Sequence, residues 1–564
     1  MARGMVLLRL LVLLLSCYGY IRWIACHVRV EFAPGVLFSS LCAAMFFAGI
    51  LNVMLEAAWV ICILGVCLGI RSLIQRESWK SLLCPGILFL AAAAVILLVW
   101  LHGMILTDYD DFSHWGTVVK VMLAENRLPR FSDAIITYQS YPTGSAGLLY
   151  YFLTISGIRS EWFQLYVQSL FGAAMLAGLF AFGKGWLFGL FTGVCSAVFF
   201  LCCTGPINLL VDTLLPLVAL GGLFFCVSYR DCLRNKYVWL TPYLVSLVAI
   251  KNSGILFALF LMLLFLHYGG KEGLKGWLWL ACITGLALLL WQKHVLLVYY
   301  NGMNSRHAMS AQSITGNLLR KGGEELSAVL RVFLEEILDV QNPAVLLLTL
   351  VGLLSLFGWV AGNRWTKESR FLLLFAGMGY VVYEIFVLGM YLTTMPYGEA
   401  IVLAGYARYH RTILIFCGGC IFLAVVDSLP EKGGGQLRAL LLTSVLLYSA
   451  LFPGLWYNNP KHCGFIREEF QQLITQYRVA PGKSYCVVVE GEYAEKYSGY
   501  LQYLIRYLLN SADLKVYSID AYREQSAGWE DYRYLICFGE SAEMDTFLQD
   551  TVGTTEKRVA EREK

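Results

Sequence analysis

Three carboxylates and a histidine stand together at residues 107–116, Thr-Asp-Tyr-Asp-Asp-Phe-Ser-His-Trp-Gly. We call this stretch the acidic segment; its ionisable side chains are those of Asp108, Asp110, Asp111 and His114. Crowded carboxylates raise one another's pKa or recruit a cation. The first outcome suits a general base that deprotonates an acceptor hydroxyl, and the second suits a metal site that steadies a phosphate leaving group. The alternative interpretation is a solvated loop that only ends a helix.

The acidic segment follows directly on an apolar run, 83–106, that is long enough to span a bilayer. An ionised carboxylate near hydrocarbon is costly unless it has a partner. We therefore expect the segment at the point where this helix leaves the lipid, in position to handle a substrate whose tail stays in the membrane. Residues 111–126 have helical apolar spacing and would lie along the membrane interface.

Three more charged residues lie at the ends of apolar runs. Asp212 falls in the first turns of one run, where catalysis or the helix dipole would each explain a carboxylate. Lys251 separates two apolar runs and either binds a lipid phosphate or snorkels to the surface. Arg408 opens a late run, where its guanidinium either grips phosphate bidentately or anchors the helix. Glu384 lies inside a run and should make a structural polar contact facing protein.

Composition determines the class of protein. Of 564 residues 58% are hydrophobic and 15% are charged, and the mean hydropathy is +0.63. A soluble protein of this size could not bury so much apolar surface, so the composition predicts a polytopic α-helical membrane protein. The net charge of +4 is too small to indicate nucleic-acid binding. Most of the 17 cysteines lie inside apolar runs and are interpreted as small buried hydrophobes.

Apolar runs of bilayer-spanning length predict about 13–14 transmembrane helices. The runs are 5–21, 35–51, 54–70, 83–106, 162–182, 186–203, 208–228, 237–250, 254–268, 277–300, 342–361, 370–392, 409–427 and 437–456. The stretch 237–268 is interrupted by Lys-Asn-Ser-Gly at 251–254. Residues 317–338 predict a further, amphipathic helix.

Positive charge in the short loops orients these helices, because lysine and arginine are enriched on the cytoplasmic side. Assigning the positively charged short loops to the cytoplasm places four segments on the extracytoplasmic side: the loops 107–161, 301–341 and 393–408 and the tail 457–564. Arg3 and Arg9 are exceptions to the pattern. The localisation predicted is the plasma membrane, with the acidic segment, Asp212, Lys251 and Arg408 all toward the outside.

The tail differs in composition from the rest of the chain. Residues 483–490 and 532–539 have the pattern of buried strands, 493–510 that of a helix, and 514–519 that of a third strand. The tail therefore predicts a small extracytoplasmic α/β domain. We expect its cysteines, Cys463, Cys486 and Cys537, to be thiols.

Four short motifs resemble those of the GT-C superfamily of integral-membrane glycosyltransferases, especially the protein O-mannosyltransferase and lipid A aminoarabinose transferase branch. Asp110-Asp111-Phe112-Ser113-His114-Trp115 is similar to the Asp-Glu motif of their first large outer loop, with Asp in place of Glu. The stretches 208–216, 249–254 and 407–409 are similar to their Asp near a helix start, their Thr-Lys-Gly-type turn and their Arg-Tyr pair. The resemblance covers residues 83–456, so that 1–82 is an amino-terminal addition.

The resemblance implies a polyprenyl-phosphate-linked sugar as donor and a cell-envelope glycan, lipid or protein as acceptor. By implication Asp110 acts as base or orients the acceptor, with Asp111 and Asp212 as further catalytic carboxylates. Lys251 and Arg408 would hold the lipid phosphate, together with His114. A divalent metal ion is left open, with Asp108, Asp110 and Asp111 as its ligands.

Two other functions compete with sugar transfer. A polytopic transporter or flippase of lipid-linked envelope precursors predicts internal repeats and ionisable residues near the bilayer midplane. A catalytically silent scaffold for envelope assembly would tolerate loss of the acidic segment. The sequence shows no repeat, and it has no Walker loop, Gly-x-Gly-x-x-Gly fingerprint or His-Glu-x-x-His motif.

Overall fold

A computed structural model describes residues 2–76, 79–183, 208–299, 311–339, 365–428, 464–525 and 528–562, with isolated positions between 189 and 196 and between 342 and 352. Helices and strands are numbered in chain order over these residues. Three of the predicted spans, 186–203, 342–361 and 437–456, lie largely or wholly outside them.

Sixteen α-helices precede the tail in the described chain. They are α1 (Ala2–Ala25), α2 (Ala33–Ile50), α3 (Met54–Ile74), α4 (Pro85–Leu101), α5 (Gly116–Glu125), α6 (Gly144–Ser156), α7 (Glu161–Leu176), α8 (Val211–Ser228), α9 (Tyr237–Ile250), α10 (Gly254–Gly269), α11 (Leu274–His294), α12 (Ala311–Arg320), α13 (Gly323–Leu338), α14 (Lys367–Thr393), α15 (Tyr397–Ala400) and α16 (Tyr406–Ser428). Helices suit long apolar runs, because a helix satisfies its backbone hydrogen bonds within one segment of the chain.

Eight helical stretches of the described residues are long and apolar enough to cross a membrane. They are Gly4–Ala25, Val30–Ile50, Met54–Ile74, Glu161–Phe182, Val211–Ser228, Lys271–Val298, Lys367–Thr393 and Tyr406–Ser428. Three shorter apolar helices are α4, α9 and α10. The predicted class, a polytopic helical protein with a membrane-type composition, is confirmed.

The predicted span at 83–106 is shorter in the structure. α4 ends at Leu101, and the chain turns at His102 and Gly103, where Gly103 has a φ of +79°. Glycine enters this left-handed region without steric cost. Residues 104–108 have no regular structure. A short irregular linker, and not the helix itself, therefore leads into the acidic segment.

The break between α9 and α10 lies where the sequence predicts it. Lys251 adopts an extended conformation with φ −154° and ψ 147°, which ends α9. Gly254 then opens α10 so close to the preceding turn that a Cβ atom there would lie 1.9 Å from the carbonyl oxygen of Leu247. Only glycine fits this close approach, so the two helices are held at a fixed junction.

The sequence predicts one amphipathic helix at 317–338, and this prediction is wrong. Two helices, α12 and α13, occupy this region. Lys321 separates them, and its buried Nζ donates to the carbonyl oxygens of Tyr391 and Leu392 at 2.7 and 3.1 Å. A lysine that bonds the last carbonyls of another helix stabilises that helix end. The Gly322-Gly323 pair that follows has low helix propensity and admits the break.

The chain divides into two compact units. The helical unit comprises Met1–Met104, Met122–Leu128 and Gln139–Asn458. The tail unit comprises Ile105–Val121, Pro129–Tyr138 and Asn459–Lys564. The acidic segment thus belongs to the same compact unit as the carboxyl-terminal tail.

The tail confirms the predicted α/β pattern. Its elements are α17 (Gly464–Gln476), β1 (Tyr485–Val489), α18 (Gly491–Leu509), β2 (Leu514–Ser518), α19 (Ile519–Glu524), β3 (Tyr534–Phe538), α20 (Ala542–Val552) and β4 (Val559–Glu561). The sheet has the order β2-β1-β3-β4, in which β1 is parallel to β2 and β3 while β4 is antiparallel to β3. The short edge strand β4 was not predicted.

One face of the sheet carries the tail core. Val488 and Leu535 of the central strands pack with Met544, Phe547 and other apolar side chains there. The expected thiols are present at Cys486 and Cys537, which are buried and free, whereas Cys463 lies outside the described residues.

Candidate functional site

The acidic segment folds as one turn of π-helix, Asp111–Trp115, that continues into α5. The Gly116 N–H donates to the carbonyl oxygen of Asp111, which is the i→i+5 bond of a π-turn. A Cβ atom at Gly116 would lie 2.9 Å from the backbone carbonyl oxygen of Asp111, which favours glycine at this position. Single π-turns are frequent at functional sites, because they displace side chains from the ordinary helical register.

The three carboxylates of the segment have different surroundings. Asp108 Oδ1 accepts a hydrogen bond from the Asp110 N–H at 2.9 Å, which is how a carboxylate caps the start of a helix. Asp110 is half-buried, whereas Asp111 is fully buried. Of the two adjacent carboxylates, Asp110 is therefore the more accessible to a ligand. Within the described chain no three His, Cys, Asp or Glu side chains are arranged to hold a metal ion.

His114 is buried between aromatic rings. Its imidazole lies 4.5 Å from the ring of Trp115 and 6.0 Å from that of Tyr138, centroid to centroid. Burial lowers the pKa of His114 to about 3 because the charged form loses its hydration. The imidazole is consequently neutral near pH 7. It therefore brings no positive charge to the phosphate-binding role that the sequence predicts for it.

Asp212, Lys251 and Arg408 come together in the helical unit, although they are far apart in sequence. Lys251 Nζ forms an ion pair and hydrogen bond with Asp212 Oδ1. Arg408 is close enough to act electrostatically on the same carboxylate. Tyr409 lies between the two cations, with its ring centroid 4.8 Å from Lys251 Nζ and 6.0 Å from Arg408 Cζ. We call these four residues the cation cluster.

Three helix termini position the cation cluster. Asp212 is in the first turn of α8, Lys251 follows the end of α9, and Arg408 is in the first turn of α16. The Thr412 hydroxyl joins two of them, because it lies 3.1 Å from the Asp212 carbonyl oxygen and 3.0 Å from that of Arg408. The cluster carries two positive charges and one negative charge, on side chains that are largely shielded from water. That arrangement can bind an anion such as a phosphate.

A second buried cluster was only partly anticipated. Glu384 faces protein as predicted, and its Oε1 lies 2.8 Å from Nδ1 of His410. The Tyr406 hydroxyl donates to Glu384 Oε2 at 3.3 Å, and Asn342 Oδ1 lies 2.9 Å from His410 Nε2. We call these four residues the buried network. They link α14 to α16 near the start of the helix that bears Arg408.

The contacts of Asn342 indicate which ring nitrogen of His410 carries a proton. Asn342 Oδ1 accepts from the Ala344 N–H at 2.8 Å while its amide nitrogen donates to the Glu336 carbonyl at 2.9 Å, so the amide orientation is fixed. His410 Nε2 must therefore carry a proton, because it faces an acceptor. His410 Nδ1 lies 2.8 Å from Glu384 Oε1 and 3.1 Å from the Tyr406 hydroxyl, so both ring nitrogens have polar partners.

The sequence contained a signal for this network. A glutamate inside an apolar helix needs a partner. Tyr406 and His410 are four residues apart and so share one face of the helix that packs beside it. The missing information was which helix lies next to α14.

No protein-family model, curated protein or solved structure matches this chain. Its resemblance to GT-C glycosyltransferases therefore rests on the four motifs quoted above. Three of those motifs contribute to the cation cluster, and the fourth forms the acidic segment of the tail unit.

Proposed function

We propose that this protein is a GT-C-type membrane glycosyltransferase that transfers a sugar from a polyprenyl-phosphate donor to an extracytoplasmic acceptor. The observation that carries the proposal is the cation cluster. Its three charged residues come from helix termini at positions 212, 251 and 408, yet they share one site. These are the positions that the resemblance assigns to the phosphate and to a catalytic carboxylate.

The charges of the cation cluster suit a leaving phosphate. A prenyl-phosphate sugar carries one negative charge on its diester, and sugar transfer leaves a prenyl phosphate monoester with more negative charge. Lys251 and Arg408 would stabilise this increase, which exists only as the sugar–phosphate bond breaks. Asp212 would hold the Lys251 ammonium in place before the donor binds.

A carboxylate of the acidic segment would activate the acceptor. Asp110 is the better candidate for the base because it is half-buried and Asp111 is fully buried. Loss of the acceptor hydroxyl proton to Asp110 and attack of the oxygen on the anomeric carbon would release prenyl phosphate. The Asp108 carboxylate caps the segment, so its role in this proposal is structural.

The proposal places the protein in the plasma membrane, with about 13–14 transmembrane helices and the reaction on the extracytoplasmic side. A site on that side has no nucleotide sugars to draw on, so a lipid-linked donor is chemically appropriate. The positive charge of the short loops, assigned to the cytoplasm, supports this orientation.

The test is sugar transfer in membranes containing full-length protein, with a radiolabelled prenyl-phosphate sugar. Lys251→Met and Arg408→Gln should each lower kcat about 10²-fold or more, the loss typical when one donor to a developing anion is removed. Asp110→Asn should abolish most transfer, and Asp212→Asn should lower it. Unchanged transfer in both aspartate variants would contradict the site assignment.

The chain offers a matched control at the other ends of the same helices. Arg230, just after α8, pairs with Asp427 near the end of α16 at 2.9 Å. Arg230→Gln removes an arginine–carboxylate pair without touching the cation cluster, so its transfer rate should equal that of the wild type. An equal loss in Arg230→Gln and Arg408→Gln would mean that the variants only perturb helix packing.

A transporter or flippase is the second candidate, favoured by the buried network. A glutamate and a histidine in contact inside apolar helices are a feature of proton-coupled transport. The same membranes distinguish the candidates. A transporter moves the labelled lipid between leaflets without consuming it, whereas a transferase converts it to prenyl phosphate and glycosylated product.

A further inference from the structure

The tail unit joins two distant parts of the chain, and α18 is the element that joins them. Tyr500, Tyr503 and Tyr507 are spaced by three and four residues, so they form one aromatic face of this helix. That face packs on the acidic segment. The Phe112 ring lies 5.7 Å from Tyr500 and 5.2 Å from Tyr507, and the Tyr109 ring lies 5.2 Å from Tyr503.

Polar contacts fix the register of this packing. The Tyr500 hydroxyl donates to the Thr107 carbonyl oxygen at 3.2 Å. Lys120, on the α5 side of the acidic segment, donates to the Tyr507 carbonyl at 2.5 Å and lies 4.7 Å from the same ring. The tail therefore holds the acidic segment on both sides of its carboxylates.

Arg467 of α17 makes the deepest contact. Its side chain is buried, and its guanidinium donates to the carbonyl oxygen of Leu106. The guanidinium also lies 5.4 Å from the ring of Phe112 and 5.8 Å from that of Tyr507. With Tyr500 on Thr107, tail side chains satisfy both backbone carbonyls that precede Asp108.

A glutamate of the domain lies at the usual ligand position of such a sheet. Open parallel sheets bind ligands beyond the carboxyl ends of adjacent strands whose connections run in opposite directions, here β1 and β3. Glu490 lies at that point and accepts a hydrogen bond from the Ser541 N–H at 3.1 Å. Gly539, with a φ of +133°, leaves space for the Glu490 carboxylate, which would lie 2.5 Å from a Cβ atom there. The Glu490 carboxylate is thus held in place at the ends of the strands.

We propose that the carboxyl-terminal domain is a positioning domain for the acidic segment, with Arg467 and Tyr500 as positioning residues that fix Asp110 and Asp111. The catalytic meaning of this role rests on the proposed function, whereas the structural coupling does not. The domain acts through the backbone at residues 106–107 and through Phe112. Binding of the acceptor to the tail crevice is not required.

Hydrogen–deuterium exchange of the full-length protein in lipid nanodiscs tests the coupling. Arg467→Met and Tyr500→Phe should speed amide exchange at residues 107–116 at least tenfold, while β1 and β3 keep their protection. Arg533→Met and Tyr522→Phe are matched controls, since Arg533 pairs with Glu561 at 2.6 Å and the Tyr522 hydroxyl bonds the Trp529 N–H at 3.1 Å, both within the tail. The controls should leave residues 107–116 unchanged.

Two results would overturn the proposal. Unchanged exchange at 107–116 in both test variants would show that these contacts do not hold the segment. Equal acceleration in β1, β3 and the segment, in both variants, would show that the segment only reports unfolding of the domain.

Transfer kinetics test the catalytic consequence separately. Arg467→Met should lower kcat for the labelled prenyl-phosphate sugar at least tenfold with KM for that donor unchanged, because the donor is held by Lys251 and Arg408. A raised KM with normal kcat would contradict a positioning role. If the wild type transfers no sugar, the proposed function fails, but the exchange result still decides whether the tail positions the segment.

Discussion

At the residue scale, two buried carboxylates of the described helices, Asp212 and Glu384, each have a basic partner. Lys251 pairs with Asp212 in the cation cluster, and Glu384 Oε1 lies 2.8 Å from His410 Nδ1 in the buried network. The difference between the two sites is Arg408, whose additional positive charge has no counterpart in the buried network. This additional guanidinium beside Asp212 is the physical reason for proposing anion binding at the first site.

The buried network should be energetically coupled. His410→Leu leaves the Glu384 carboxyl without its main partner, and breaking a buried pair in this way costs about 3–5 kcal/mol. The double variant Glu384→Leu/His410→Leu should lose less than the sum of the two single losses. Unfolding in one detergent, followed by heat or denaturant, measures the effect.

The exposed pair of Arg230 and Asp427 is the comparison for this measurement. Its side chains are 40% and 20% exposed, so Arg230→Gln should cost about 0–1 kcal/mol. Additive losses at Glu384 and His410, or losses as small as that of Arg230→Gln, would mean that the two residues do not act as a pair.

At the element scale, the function of several helices depends on where they stop. α9 and α10 form one apolar stretch in the sequence, and the break at 251–253 places Lys251 at a helix end instead of within a helix. A lysine inside a continuous helix would have its position set by the helical register. At the break its ammonium reaches Asp212 at the start of α8.

Gly254→Ala should disturb this junction. The added Cβ would lie 1.9 Å from the Leu247 carbonyl, which is backbone and cannot move aside alone. We expect a loss of stability of about 1–3 kcal/mol and a loss of sugar transfer similar to that of Lys251→Met. Thermal unfolding and the transfer assay measure the two effects.

Gly285→Ala is the matched control, because a Cβ at this glycine of α11 meets nothing within 4 Å. Alanine is favoured over glycine in a helix by about 1 kcal/mol, so this variant should be as stable as the wild type or more stable. Normal sugar transfer in Gly254→Ala would mean that the junction between α9 and α10 does not position Lys251 in the cation cluster.

At the scale of the whole molecule, the division into two units constrains topology. The acidic segment and the tail are parts of one compact unit, so they must occupy the same side of the membrane. Arg9, an exception to the charge pattern, is explained by its contacts: it donates to the carbonyl oxygens of Thr154 and Ile155 at the end of α6, at 2.8 and 2.9 Å. Arg9 therefore caps the end of α6, and its position does not contradict the orientation assigned from the positive charge of the short loops.

Protease accessibility in sealed vesicles tests the orientation. An epitope tag after residue 564 should be cleaved from outside in right-side-out vesicles, and a tag inserted at residues 432–436 should be cleaved only in inside-out vesicles. The reverse pattern would place the tail unit in the cytoplasm and remove the argument for a lipid-linked donor.

The sequence by itself determined the helical membrane class, the break at 251–254 and the α/β tail, because apolar run length and periodicity are local properties of the chain. It also singled out Asp212, Lys251 and Arg408, since charge at the end of an apolar run is visible without a structure. Only the tertiary structure decided which of these residues meet, that Glu384 pairs with His410, and that the tail packs on the acidic segment. Those outcomes depend on which helices lie side by side, and that is set by packing over the whole chain rather than by any local pattern.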